Sequence, residues 1–210
     1  MYAGRIVAVG RTRAGKLAAM YRVSSRSFPN REAQVKENVV SIVPKKGSEN
    51  DIFKNPYIAY NCARIVGDAA VVTNGSQTDP IAEKVMLGLP LRDAIASALL
   101  ALDYEKDSYN TPRIAAAVTA GAESGFLGVV REDGLEVCRL SLRPGECYYV
   151  STYETNRILP TQRGDFDAAS AHDGADFILG KGVFGEMTNP VASVCAIETE
   201  SGFEIAAARA

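Results

Sequence analysis

The chain has 210 residues, 47% of them hydrophobic, enough length and apolar content for one domain spanning residues 1–210 with a sizeable core. A formal net charge of −2 without a basic tract leaves no broad cationic surface of the kind a nucleic-acid backbone demands, and no apolar run is long enough to cross a bilayer. Cys62, Cys138, Cys147 and Cys195 stand far apart with no Cys-x-x-Cys pair, so neither a zinc site nor a disulfide framework is indicated, and reduced thiols in a cytoplasmic protein are expected.

Residues 5–9 read as a strand, 10–15 as a turn and 17–24 as a second strand, an opening hairpin. The first ten residues alternate like a strand and lack the basic-then-apolar pattern of an export signal. A polar segment, 26–37, leads to an apolar run at 39–43, which Pro44 and an exposed hydrophilic loop at 45–51 bring to an end. Strands at 58–66 and 69–73 form a second predicted hairpin, with Asn74-Gly75 as a tight turn after it. The period then changes: 79–87 reads as a helix capped by Thr78 or Asp79 and stopped by Gly88. Pro90 opens another helix, on which Leu91, Ile95, Ala98, Leu99 and Leu102 share a face. Strands resume at 114–118, at 126–131 and 135–142 around Asp133-Gly134, and at 147–153. Loop and possible helix fill 154–175, and strands are expected at 176–179, 193–197 and 203–208. Hairpins before and after a helical pair define an α+β fold of two packed antiparallel sheets flanked by helices, not a doubly wound parallel sheet.

The single histidine, His172, lies in a polar stretch and reads as a surface loop residue, so proton transfer falls to Tyr, Glu, Asp, Lys or Cys. Residues 180–185, Gly-Lys-Gly-Val-Phe-Gly, match a dinucleotide fingerprint in letters only. No helix is predicted after them, and a flexible connection between strands is expected. Residues 21–31, Tyr-Arg-Val-Ser-Ser-Arg-Ser-Phe-Pro-Asn-Arg, gather three arginines and three serines. If the strand runs on to Arg26, then Arg22, Ser24 and Arg26 share a face suited to a phosphate, with Arg31 reaching back; the alternative is a charged edge strand that resists aggregation. In 55–62, Asn-Pro-Tyr-Ile-Ala-Tyr-Asn-Cys, Tyr60 and Cys62 share a face opposite Asn61, and packing explains them as readily as chemistry. The amides of Asn74 and Gly75 make a turn that can also hold an anion. Glu105 falls at the end of the second predicted helix, where it is either a solvated terminus or a carboxyl of raised proton affinity. Residues 109–113, Tyr-Asn-Thr-Pro-Arg, read as an ordered loop or a pocket wall.

Taken in order, the stretches at 21–31 and 55–62, Thr-Asn-Gly-Ser at 73–76, and Asp-Tyr-Glu-Lys-Asp with Tyr-Asn-Thr-Pro-Arg within 103–113 make the chain resemble the archaeal inosine-monophosphate (IMP) cyclohydrolases. The resemblance implies an Ntn-hydrolase-like four-layer αββα sandwich used without the N-terminal nucleophile that names that fold; Met1-Tyr2 agrees with this expectation. It implies ring closure of a formamido-imidazole-carboxamide ribonucleotide to IMP with loss of water, the last step of de novo purine biosynthesis. It implies proton transfer by Tyr60 and Glu105, polarisation of the formyl oxygen by Arg31, and nucleotide binding by Arg22, Ser24, Arg26, Asn61, Asn74 and Gly75. No metal or cofactor is required, because both reacting groups belong to one molecule. The expected partners are the nucleotide substrate and IMP, with no nucleic acid or membrane, and a homo-oligomer is expected. Two other readings stay open: an Ntn amidohydrolase matured by internal cleavage, and an inert nucleotide-binding protein using the same arginines.

Overall fold

The N-terminal alternation folds into the antiparallel hairpin of β1 (Ile6–Arg11) and β2 (Leu17–Ser24), in a computed structural model that describes residues 1–210. Side chains divide by parity: Val7, Val9, Ala19 and Tyr21 enter one core, and Ile6, Ala8, Ala18 and Met20 another. Next come β3 (Arg31–Lys36), β4 (Val39–Pro44), β5 (Tyr60–Val66), β6 (Ala69–Thr73), β7 (Arg113–Thr119), β8 (Ser124–Arg131) and β9 (Gly134–Ser141), which pair in chain order as a seven-stranded sheet. The last strands, β10 (Glu146–Ser151), β11 (Arg163–Asp165), β12 (Pro190–Thr199) and β13 (Gly202–Arg209), join the hairpin in a six-stranded sheet ordered β11-β10-β1-β2-β12-β13. Both sheets are antiparallel throughout.

The inner faces of the two sheets enclose a core of 23 buried residues. On the outer face of the six-stranded sheet lies α4 (Ala171–Gly180), docked through Ala171, Ala175 and Ile178. The outer face of the other sheet carries α2 (Thr78–Met86) and α3 (Leu91–Leu102), through Ile81, Ile95 and Leu99; α1 (Asp51–Lys54) is one short turn. The layers therefore run helix, sheet, sheet, helices. No helix is long and apolar enough to cross a membrane.

Several expectations are corrected. Residues 176–179, expected as a strand, belong to α4, because the short apolar run Phe177-Ile178-Leu179 has no period of its own and the capping box upstream decides it. Ser170 Oγ accepts from the Asp173 amide at 3.2 Å, and Asp173 accepts from the Ser170 amide at 3.1 Å. His172 is thus an exposed helical residue, and residues 180–185 link a helix to a strand. β3, within the segment expected to be merely polar, is an edge strand whose outward side chains are charged or amide. β2 ends at Ser24, so Arg26 does not continue its face. Asn74-Gly75 leads straight into α2, whose N-cap is Gln77.

Candidate active site

At one end of the sandwich the inner faces of four strands converge. Arg5 precedes β1, Tyr21 sits midway along β2, and Arg31 and Tyr60 open β3 and β5. Above them lies a cleft of about 390 Å³, within the range of small-molecule sites, lined by Arg5, Arg26 and Arg31 and by Tyr2, Tyr57, Tyr109 and Tyr153. Gly4 sets Arg5 into this mouth. Its φ of +72° suits glycine, and a Cβ there would lie 2.3 Å from Thr152 Oγ1. Tyr2 stacks on Tyr153 with ring centres 5.9 Å apart, while the Arg26 guanidinium lies 3.9 Å above the Tyr2 ring. One wall is thus aromatic and cationic together.

Glu105 enters from the α3–β7 loop. Asp103, at φ 56°, turns the chain off the helix, and the Glu105 amide donates to Thr111 at 2.8 Å, so the carboxyl lies beyond the helix terminus and not on it. It is 1% exposed. Arg5 donates to its Oε2 at 2.9 Å, Arg113 stands 3.6 Å from its Oε1, and Oε1 has no hydrogen-bond donor within the chain. Burial raises the Glu105 pKa above the ordinary carboxylate value, against the pull of Arg5 and Arg113. Gly75 leaves room for this cluster, because a Cβ there would fall 2.9 Å from Arg113 and 3.3 Å from Glu105.

The Tyr60 and Tyr21 hydroxyls are 2.5 Å apart. Burial holds the Tyr60 phenol above its ordinary pKa, while Arg31, Arg5 and the hydrogen bond with Tyr21 act in the opposite direction. Burial also opposes the charge on Arg5, yet Glu105, Tyr60 and Tyr21 hold its pKa above the ordinary value. Arg5 therefore couples the carboxyl to the phenols. Arg31 is 4% exposed and fixed by donating to the Phe28 carbonyl at 3.0 Å.

In comparison with known proteins, the model of the family described as "IMP cyclohydrolase-like protein" matches residues 2–202. The chain belongs to the IMP cyclohydrolase family. Among its relatives, the IMP cyclohydrolase of Methanosphaera stadtmanae is 49% identical over 98% of both chains. Those of Methanococcus maripaludis (strain C7) and Methanocaldococcus jannaschii are each 44% identical over 98% of this chain, covering 99% and 98% of their own.

Of the residues that the cyclohydrolase resemblance singled out, Tyr60, Glu105, Arg31, Arg26 and Gly75 gather at the cleft or directly behind it. Four do not. Arg22 lies on the opposite face of β2 from Tyr21, fully buried, and donates to Ser24 Oγ at 3.0 Å and to the carbonyls of Phe184, Met187 and Thr188 at 3.2, 2.5 and 3.3 Å. Burial lowers its pKa to about 10. Asn61 faces α2, held by Ser41 and Asp79. Asn74 is spent on Pro112, Gln77 and Ile114, bracing the start of β7. Sequence reasoning passed over Arg5, Tyr2, Tyr21 and Tyr153 as site residues. The available signal was Gly4-Arg5 at the head of an apolar strand, where a charge after a glycine reads as a mere boundary.

Proposed function

We propose that the cleft takes the 5-formamido-imidazole-4-carboxamide ribonucleotide and closes its second ring to give IMP and water. The observation that carries this is one buried cluster of a carboxyl, a phenol and guanidinium groups, beneath an aromatic cleft, in a chain matched to the family from residue 2 to residue 202. The carboxamide nitrogen attacks the formyl carbon. Tyr60 gives its proton to the formyl oxygen, beside the Arg31 charge, while the ionised Glu105 takes a proton from the attacking nitrogen. The carbinolamine then breaks its C–O bond: Glu105 returns its proton to the departing hydroxyl, water leaves, and the formamido nitrogen restores the proton of Tyr60. Atoms and protons balance, and the enzyme returns to its starting state. Holding the formyl group against the carboxamide supplies much of the acceleration, because the reaction is intramolecular.

Arg26, exposed at the cleft rim over Tyr2, is the phosphate ligand in this reading, and the tyrosine wall takes the ring system. The layered architecture is read as the Ntn-hydrolase-like sandwich, with residues 1–210 acting as one cyclohydrolase unit. Tyr60→Phe and Glu105→Gln are each expected to lower kcat by roughly 10²–10⁴-fold with little change in IMP binding, measured by steady-state kinetics and calorimetric titration. Full turnover in both variants would remove this mechanism.

A further inference from the structure

Tyr21 has the setting of a core residue: it lies mid-strand, opposite Val7 and Val194, and is fully buried. Its ring contributes to packing between the sheets, but its hydroxyl does not. That oxygen has one partner, the Tyr60 oxygen at 2.5 Å, with the rings edge-on at 75° and their centres 6.5 Å apart. A phenylalanine would fill the same space. Tyr60, by contrast, is only half-buried and stands beside Arg5 and Arg31, both of which line the cleft.

We propose that Tyr21 is a positioning residue for the ring-closing step: it donates its hydrogen bond to the Tyr60 oxygen, turning the Tyr60 proton toward the cleft and then holding the phenolate that remains. This rests on the reading that Tyr60 is the proton donor. As the Tyr60 O–H bond breaks and the formyl oxygen gains that proton, the Tyr21 O–H bond stays intact, and Tyr60 recovers a proton from the formamido nitrogen during loss of water. The direction of donation follows from the surroundings. The buried Tyr21 hydroxyl has no partner but the Tyr60 oxygen, so its proton is satisfied only by donation there, whereas Tyr60 is half-buried and stands beside Arg5 and Arg31 at the cleft.

The test compares the full-length wild type with Tyr21→Phe, Tyr60→Phe and the double variant, using the formylated carboxamide ribonucleotide as substrate. Tyr21→Phe is expected to lower kcat about ten- to hundredfold, the worth of one hydrogen bond to a charged group, with KM within about twofold. The double variant is expected to be no slower than Tyr60→Phe alone, because Tyr21 acts only through Tyr60. A phenolate absorbance titration, taken as the difference from Tyr60→Phe, is expected to move to higher pH when Tyr21 loses its hydroxyl. Unchanged IMP binding and melting temperature certify that Tyr21→Phe is folded. A Tyr21→Phe enzyme with wild-type kcat and titration, alongside a slow Tyr60→Phe, overturns the role of Tyr21 and leaves that of Tyr60. A wild-type rate in Tyr60→Phe overturns the proton-donor reading itself.

Discussion

Arg5 ties the carboxyl to the phenols, and its removal separates their contributions. In the folded chain Glu105 keeps its proton to higher pH than in the unfolded chain, because burial outweighs its two arginine partners. The folded state then binds more protons across that window, so stability falls as pH rises through it and is regained at lower pH. A base must be ionised, so the acid limb of kcat/KM is expected to lie above the ordinary carboxylate range. Arg5→Ala should move that limb to still higher pH, costing about tenfold or more in kcat/KM at a pH on the limb. A limb at the wild-type position in this variant would detach Glu105 from it. Arg22 and Arg26 make a second contrast. Arg22→Ala leaves the Met187 and Thr188 carbonyls without a donor, while Phe184 keeps the Met187 amide, and it is expected to cost about 3 kcal/mol of stability in thermal melts. Arg26→Ala is expected to leave the melt unchanged and weaken IMP binding about ten- to hundredfold by titration. In sequence the two arginines look alike, four residues apart among serines. What separates them is the end of β2 at Ser24, which leaves Arg22 under the Phe184–Thr188 carbonyls and releases Arg26 to the rim, and that depends on chain 162 to 166 residues away.

Among the elements, α4 shows how packing can override helix propensity. Gly174 lies in its interior, where alanine ordinarily gains about 1 kcal/mol. Here a Cβ would stand 2.5 Å from the Cys195 sulfur on β12. Gly174→Ala is therefore expected to destabilise by about 1–3 kcal/mol in chemical denaturation, the opposite of the propensity effect. A stabilised variant would show that α4 rides higher on the sheet. The long or strongly periodic elements were legible: β1 and β2, the hairpin around Asp133-Gly134, and the apolar face of α3 follow from alternation, turn residues and helical spacing. Elements fixed from a distance were not. β3 is polar because it is an edge, β11 has three residues, and α4 carries an apolar run that reads equally as strand until its cap is considered.

At the scale of the molecule, hairpins are local and can be read, but the seam that builds the site is not. β2 pairs with β12 across more than half the chain, and only this pairing brings Arg22 beneath the Phe184–Thr188 segment. That segment in turn holds the N-terminus: the Thr188 amide donates to the Met1 carbonyl at 2.9 Å, and the Met1 ammonium donates to the Glu186 carbonyl at 3.1 Å. Tyr2 follows and becomes the cleft wall under Arg26. A structural arginine, a loop and the first residues of the chain are thus one brace behind the cleft. The candidate chemistry was partly legible because Tyr60, Glu105 and Arg31 lie in distinctive stretches. Arg5 lies in ordinary strand sequence, and Tyr21, although it opens the 21–31 stretch, stands within β2; both acquire their surroundings only when the two sheets close. The most direct test of the whole account is a time course of the purified full-length protein with the formylated carboxamide ribonucleotide, in the presence of a metal chelator, with product resolved by chromatography. The account predicts steady conversion to IMP, whereas tight binding of the ribonucleotide with no IMP formed would contradict it.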